Sequence, residues 1–404
     1  MPNLSSSFHD VAVIGLGAMG AAALYQLARR GVKAVGIDRF SPPHPMGSTH
    51  GETRITRQAV GEGEVYVPLV LRSNAIWEEL EAETGESLLV RSGCLIVGPT
   101  DGPSGAMAGF LKRTQGVAQQ HGIAHEMLDA AEIRRRYVQF APQDRESGYF
   151  EPGGGYLRPE LCVSVQLARA GVLGASLHLD ARVLSVEPSG EGVRIATDRG
   201  VLHAGQAVVS AGAWTPALLG APFDRILAPS RQVMHWYPVT ESHARCWDES
   251  PVFIWSHGAG DDDFFYGFPS LPGSGSVKSA GEQYDAKVEP DRVERSVNPL
   301  ESRTLFDRHL AGRLNGLSAA AVKAVTCLYT VTPDRHFLID RHPGSAQVLV
   351  VSPCSGHGFK HSAAIGEAAA EIVTAGSPTI DLSAFALSRF DRARIGEPNE
   401  AAAP

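Results

Sequence analysis

The chain has 404 residues, 43% hydrophobic and 20% charged. A chain of this size and composition can bury large cores, so global disorder is excluded. Lys and Arg total 36 against 44 Asp and Glu, a formal net charge of −8, which argues against a broad basic face for nucleic acid. At about 100–200 residues per domain, two or three folding units are expected. The cysteines Cys94, Cys162, Cys246, Cys327 and Cys354 are odd in number and lack CxxC spacing. A disulfide framework and a structural zinc site are therefore poor readings, and reduced thiols in a cytoplasmic protein fit better. The first ten residues carry neither a basic start nor an apolar run, so no signal peptide is expected.

In chain order, Val11 to Ile14 reads as a short buried strand. Residues 18–30 are Ala/Leu-rich, end in two arginines and are followed by Gly31, a helix with a proper stop. Val32 to Ile37 is a second strand, closed by Asp38. Residues 41–51 form a Pro/Gly-rich loop, 64–84 a helix, and Leu88 to Val97 strand material interrupted by Gly93. Residues 104–136 read as polar helix broken at Gly116 and Gly122, and 159–171 as helix. Residues 181–212 alternate like strands. The uncharged stretch Ala204 to Phe223 contains Gly205, Gly212, Pro216, Gly220 and Pro222. It is a buried strand, loop and short helix rather than a membrane span. Residues 226–285 hold short aromatic strands and 301–316 a helix. Val348 to Val351 is a last apolar strand, followed by a Gly-rich turn and a helix. No repeat or long linker separates these parts, so the domains are expected to interleave.

Gly15, Gly17 and Gly20 have GxGxxG spacing between a strand and a helix. The first glycine permits the tight turn, the second lets backbone approach a diphosphate, and the third lets helix and strand pack closely. The helix N-terminus offers N–H groups to the phosphates. Asp38, 18 residues beyond Gly20, stands where a carboxylate accepts from ribose hydroxyls. The fingerprint alone does not separate NAD from FAD.

Four further segments narrow the choice. GSTHGETRITR at 47–57, YGFPS at 266–270, TCLYTVTPDRHFLID at 326–340 and SGHGFKHSAAIGE at 355–367 resemble, in order and nearly end to end, the monomeric sarcosine oxidase and N-methyltryptophan oxidase family. These are D-amino-acid-oxidase-like flavoproteins. The resemblance implies an α/β (α+β) chain. A Rossmann-like FAD-binding domain (residues 1–90, 150–225 and 325–404) would interleave with an antiparallel-sheet substrate domain (91–149 and 226–324). It implies oxidation of a secondary amino acid, such as sarcosine or another N-methyl amino acid, to an imine, with O2 reduced to H2O2. The expected partners are an amino-acid substrate and O2, with no nucleic acid, membrane or metal, and a monomer in the cytoplasm.

By resemblance, FAD is held by Gly15, Gly17, Gly20, Asp38, Arg39, Ser48, Thr49, Gly212, Gly356 and Gly358, and attached covalently through Cys327. Arg57 and Lys360 match the cations that hold the substrate carboxylate. Lys278 matches the lysine that activates oxygen, Arg54 a basic residue beside the flavin, and Tyr266 and His357 residues lining the substrate cavity. One departure is visible. The family has a histidine shortly after that lysine, whereas here Glu282 stands near the place. Either Glu282 faces the cavity, bringing negative charge that changes the preferred substrate, or it points to solvent.

Overall fold

In a computed structural model the described residues are 8–99, 109–190, 192–258, 260, 262–284 and 287–390. Residues 100–108, part of the expected 104–136 helix, and the tail from 391 lie outside them.

The strand Phe8–Ile14 lies at the middle of an eight-stranded sheet. It pairs in parallel with Ala34–Ile37 on one side and Gly200–Val209 on the other. Ala34–Ile37 continues in parallel to Ser176–His178. Gly200–Val209 begins by closing an antiparallel meander with Val183–Ser189 and Gly192–Thr197. It ends by pairing in parallel with Ser345–Ser352, beside which Leu338–His342 runs antiparallel. Alternation of side chains sends Val11, Val13 and Val208 to one face and Ala12, Ile14, Ala207 and Val209 to the other. Both faces are covered, which is why these strands are short apolar runs rather than alternating ones.

The helices Ala18–Arg29, Pro159–Val172 and Ser362–Ala375 cover the first face. They pack closely because their contact surfaces are small: a Cβ on Gly366 would lie 2.3 Å from Ala22 Cβ. Val67–Thr84 joins the same layer and stops at Gly85, in the left-handed region at φ +74°.

A second eight-stranded sheet runs in the order Lys323–Val331, Ala228–Pro238, Ser276–Ala280, Phe264–Gly267, Val252–Ser256, Cys94–Pro99, Glu146–Glu151 and Glu126–Asp129. All its neighbours are antiparallel except Val252–Ser256 with Cys94–Pro99. A three-stranded ribbon, Arg54–Thr56, Gly155–Leu157 and Leu89–Val90, is the third sheet. Its first strand begins at Arg54 and delivers Arg57 just past its end.

Two elements differ from expectation. The stretch past residue 108 is not one broken helix. Phe110–Gln120 and Ala130–Arg136 flank a strand, Glu126–Asp129, that extends the second sheet. A polar edge strand carries too little apolar signal to be read from sequence. The helix expected over 301–316 spans only Pro299–Leu305, loosens into a π turn at Phe306–Leu310 and ends there.

Candidate active site

The glycine turn builds one end of a cavity of about 550 Å³. Gly15 adopts φ +86° with Ser210 O only 2.6 Å from where a Cβ would sit, so a side chain is excluded there. Gly20 packs harder still, its virtual Cβ 1.8 Å from Gly15 O. Gly17 has no such neighbour: a Cβ there would meet only Thr49 Oγ1, at 3.4 Å, and would fill the cavity it lines. Gly17 is also the N-cap of the helix Ala18–Arg29 and brings no capping side chain. The cavity therefore meets a bare helix terminus, the usual seat of a phosphate.

Asp38 is buried at the mouth of this turn. Its Oδ2 accepts from Leu16 N at 2.6 Å and its Oδ1 from Phe40 N at 2.8 Å, and the residue lines the cavity. Arg39 bonds Asp291 Oδ1 at 2.6 Å, and Trp214 Nε1 donates to the same oxygen at 2.7 Å. Asp291, which sequence reasoning missed, thus ties the Arg39 loop to the Gly212 turn. Ser48 Oγ bonds Leu328 O, Thr49 Oγ1 accepts from Ala18 N at 3.3 Å, and both residues line the cavity with Gly212, Gly356 and Gly358.

At the other end stand two cations. Arg57 is 3% exposed and pairs with Glu62. Glu62 Oε1 lies 3.8 Å from Lys360 Nζ and 4.0 Å from His357 Nδ1. Lys360 Nζ also donates to His357 O at 2.8 Å. Burial works to raise the Glu62 pKa, but Arg57 and Lys360 outweigh it and hold the carboxyl well below its usual range. Burial lowers the Lys360 ammonium to about 8 against the pull of Glu62. His357 is pushed by burial to about 3 and stays a neutral ring, stacked on Phe337 at 4.8 Å. Arg57 and Lys360 share the Glu62 carboxylate, and among the described residues Arg57 Nε is buried without a hydrogen-bond partner. The loop carrying Arg57 is pinned by Glu151, whose oxygens accept from Gln58 N at 2.5 Å and Ala59 N at 3.1 Å.

Between the ends, Tyr266, Tyr329, Phe264 and Phe268 line the cavity with Arg54. Arg54 donates to Ser48 O at 2.6 Å and Thr53 O at 2.8 Å. Glu282 does not point away: it lines the cavity, Tyr284 OH donates to its Oε2, and a Cβ on Gly356 would lie 2.7 Å from its Oε1.

Three predicted residues do not line the cavity. Gly20 lies under the turn. Lys278 is buried behind it, donating to Gly51 O at 2.7 Å and Thr53 O at 2.6 Å, with Nζ 3.9 Å from the centroid of Phe268, which does line it. Burial and then Arg54 push its ammonium well below the ordinary lysine range. Cys327 is buried in the same cluster as Tyr329 and packs against Cys354, a cavity-lining thiol that sequence reasoning overlooked. Burial raises the Cys327 thiol to about 11, partly offset by Arg54 and Lys278. Glu62, Glu151, Asp291 and Tyr284 were also missed. Glu62, Asp291 and Tyr284 are single polar residues in loops and Glu151 ends a strand, with no periodic pattern to mark any of them.

Fold and cavity together define a dinucleotide-binding protein. The bare helix N-terminus, the Gly17 cradle and the Asp38 carboxylate fit FAD. The chain belongs to the FAD dependent oxidoreductase family (DAO), whose sequence model matches residues 10–372, and it is an FAD-dependent enzyme. It is 38% identical over 396 residues to the monomeric sarcosine oxidase of Streptomyces avermitilis, covering 96% of this chain and 98% of that protein. It is 34% identical to the N-methyl-L-tryptophan oxidase of Salmonella newport, covering 95% and 100%. In fold it is similar to NikD, an amino acid oxidase essential for nikkomycin biosynthesis, with a TM-score of 0.81 at 24% identity over 94% of this chain and 97% of that one.

Proposed function

We propose that the protein is an oxidase of secondary amino acids, sarcosine or another N-methyl amino acid, that makes an imine and reduces O2 to H2O2. The observation that carries this reading is a pair of buried cations in one cavity with a dinucleotide cradle. Arg57 and Lys360 share Glu62 as ion-pair partner, and among the described residues Arg57 Nε has no hydrogen-bond partner, a donor that an arriving carboxylate can satisfy. Docking of the substrate carboxylate there fixes the amine end at the tyrosine-lined middle of the cavity, which is catalysis by positioning.

FAD would be held by Gly15, Gly17, Asp38, Arg39, Ser48 and Thr49 with Gly212, Gly356 and Gly358, and would supply the two-electron chemistry between the amine and O2. Tyr266, Phe264 and Phe268 give that region aromatic walls. Lys278 contributes a desolvated ammonium behind Phe268, where a cation favours the anion that forms as oxygen is reduced. Cys327 is the residue we assign to covalent attachment. On its strand it shares a face with Tyr329, which lines the cavity. In this reading the first sheet and its helices form the FAD-binding part, interleaved with a substrate part built on the second sheet.

Anaerobic mixing with a panel of N-methyl and cyclic amino acids tests the proposal. Bleaching of flavin absorbance by secondary amino acids, and not by the same compounds as methyl esters, is the expected result. Equal bleaching by the esters would remove the carboxylate clamp from the account.

A further inference from the structure

Glu282 has no part in the clamp or the cradle, yet its carboxyl lies in the cavity wall. It is held at one oxygen only. Tyr284 OH donates to Oε2, and no other described residue hydrogen-bonds the group. Oε1 packs against the bare Cα of Gly356, itself a wall residue. Tyr284 is in turn fixed by the Arg335 guanidinium, 4.1 Å from its ring centroid. The carboxyl is thus positioned by a hydroxyl and a glycine and left with an acceptor to spare.

The groups that face it are Tyr284 from its own loop, Glu62 and Lys360 from the clamp, Arg335 from the turn after the last strand of the second sheet, and Tyr266 and Tyr329 from two strands of that sheet. Glu62 is spoken for by Arg57 and Lys360. Glu282 is the cavity carboxylate that is not in an ion pair among the described residues.

A secondary amino acid in neutral water is a zwitterion. Its ammonium sheds its proton only near pH 10, as alkylammonium groups do, and an ammonium has no lone pair to form the C=N bond of an imine. Resting on the function proposed above, we propose that Glu282 is the proton acceptor for the substrate. The zwitterion docks with its carboxylate on Arg57 and Lys360 and its ammonium on Glu282, which takes one proton and leaves the neutral amine. In this step an N–H bond breaks, a carboxyl O–H forms and no electrons change hands. Burial, against the Tyr284 hydrogen bond, places the Glu282 carboxyl at about 7. Above that value it is ionised and able to accept.

The test is the pH dependence of anaerobic flavin bleaching by an N-methyl amino acid that the wild-type holoenzyme oxidises. The affinity of methylthioacetate, an amine-free carboxylate that feels the clamp alone, is measured over the same range and divided out. Without a protein acceptor, the bleaching rate constant over Kd would climb about tenfold per pH unit up to the amine pKa. With Glu282 accepting, it should instead reach a plateau above pH about 7.5. Glu282→Gln should restore the climb, running about 100-fold below wild type at pH 8 and approaching it at pH 10 once its own methylthioacetate affinity is divided out. A wild-type profile that climbs throughout overturns the proposal without recourse to any variant. So does a plateau that survives in Glu282→Gln. Should that variant lose flavin, Glu282→Asp keeps the acceptor and must keep the plateau. A wild type bleached by no secondary amino acid would instead sink the proposed function itself.

Discussion

Lys360 and Glu62 carry the charge balance of the cavity. Lys360 is buried between a carboxylate and a backbone carbonyl, so a bound carboxylate gains a charge-assisted bond from it. Lys360→Met should raise KM for an N-methyl amino acid about 10- to 100-fold, the worth of a bond to a charged group, with a smaller change in kcat. Steady-state kinetics measure this split. Glu62 matters to stability. Its folded pKa is depressed by Arg57 and Lys360, so its contribution is present above the unfolded value of about 4.5 and is lost as pH falls through the folded one. Glu62→Gln leaves two buried cations without their counter-ion, a loss of about 3–5 kcal/mol. Its Tm should lie well below wild type at pH 7, and the gap should close on acidification below pH about 4. A gap independent of pH would mean that packing, not charge, is what Glu62 supplies.

The residues of the proposed clamp could be singled out because they sit in motifs. Arg57 closes GSTHGETRITR and Lys360 closes SGHGFK. Their electrostatic partner could not be. Glu62 follows Arg57 by five residues in a loop, and nothing in that spacing shows that the chain turns back to meet Lys360. Glu282 was visible as an acid near an expected histidine, but its direction depends on how Gly356 and Tyr284 pack, which only three dimensions disclose.

At the scale of elements, the βαβ unit at the N-terminus was readable because local rules agree there: a buried strand, a glycine turn and an Ala-rich helix ending in basic residues. The close packing of Ala18–Arg29 on Ser362–Ala375 turns the small-residue composition into a constraint. Gly366→Leu would force these helices apart and should cost about 1–3 kcal/mol of overpacking, read as a lower urea midpoint and poorer flavin retention. The strand Lys323–Val331 sets another test. Cys327 lies on it beside cavity-lining Tyr329, while Cys354 lines the cavity from the turn after Ser345–Ser352. If attachment is through Cys327, acid precipitation should leave flavin on wild type and on Cys354→Ser and release it from Cys327→Ser. Release from Cys354→Ser alone would move the bond to the second thiol. The polar strand Glu126–Asp129 escaped reading because an edge strand with one buried side chain has no alternation to display.

At the scale of the whole molecule, the cavity exists because the chain crosses between two sheets more than once. Gly15, Asp38 and Ser210 come from the first sheet's strand ends. Tyr266 and Tyr329 come from the second sheet, and Arg57 from past the end of the short ribbon. Interleaved domains were expected from the absence of a linker and belong to the proposed reading; the strand orders show that the chain alternates between the sheets. The shape of the space between the sheets was not readable, since it is set by loops such as 57–63 and 281–284 that carry neither periodicity nor repeats.

The central claim is that a flavin in this cavity takes electrons from a secondary amino acid held by its carboxylate and passes them to O2. The most direct measurement is to mix the purified protein anaerobically with sarcosine and with larger N-methyl and cyclic amino acids, follow flavin absorbance, then admit air and titrate H2O2. The account predicts bleaching by at least one secondary amino acid, recovery of the oxidised spectrum in air, and one H2O2 per flavin reduced. A flavin bleached by none of them, or one that stays reduced in air until an artificial acceptor is added, would contradict it.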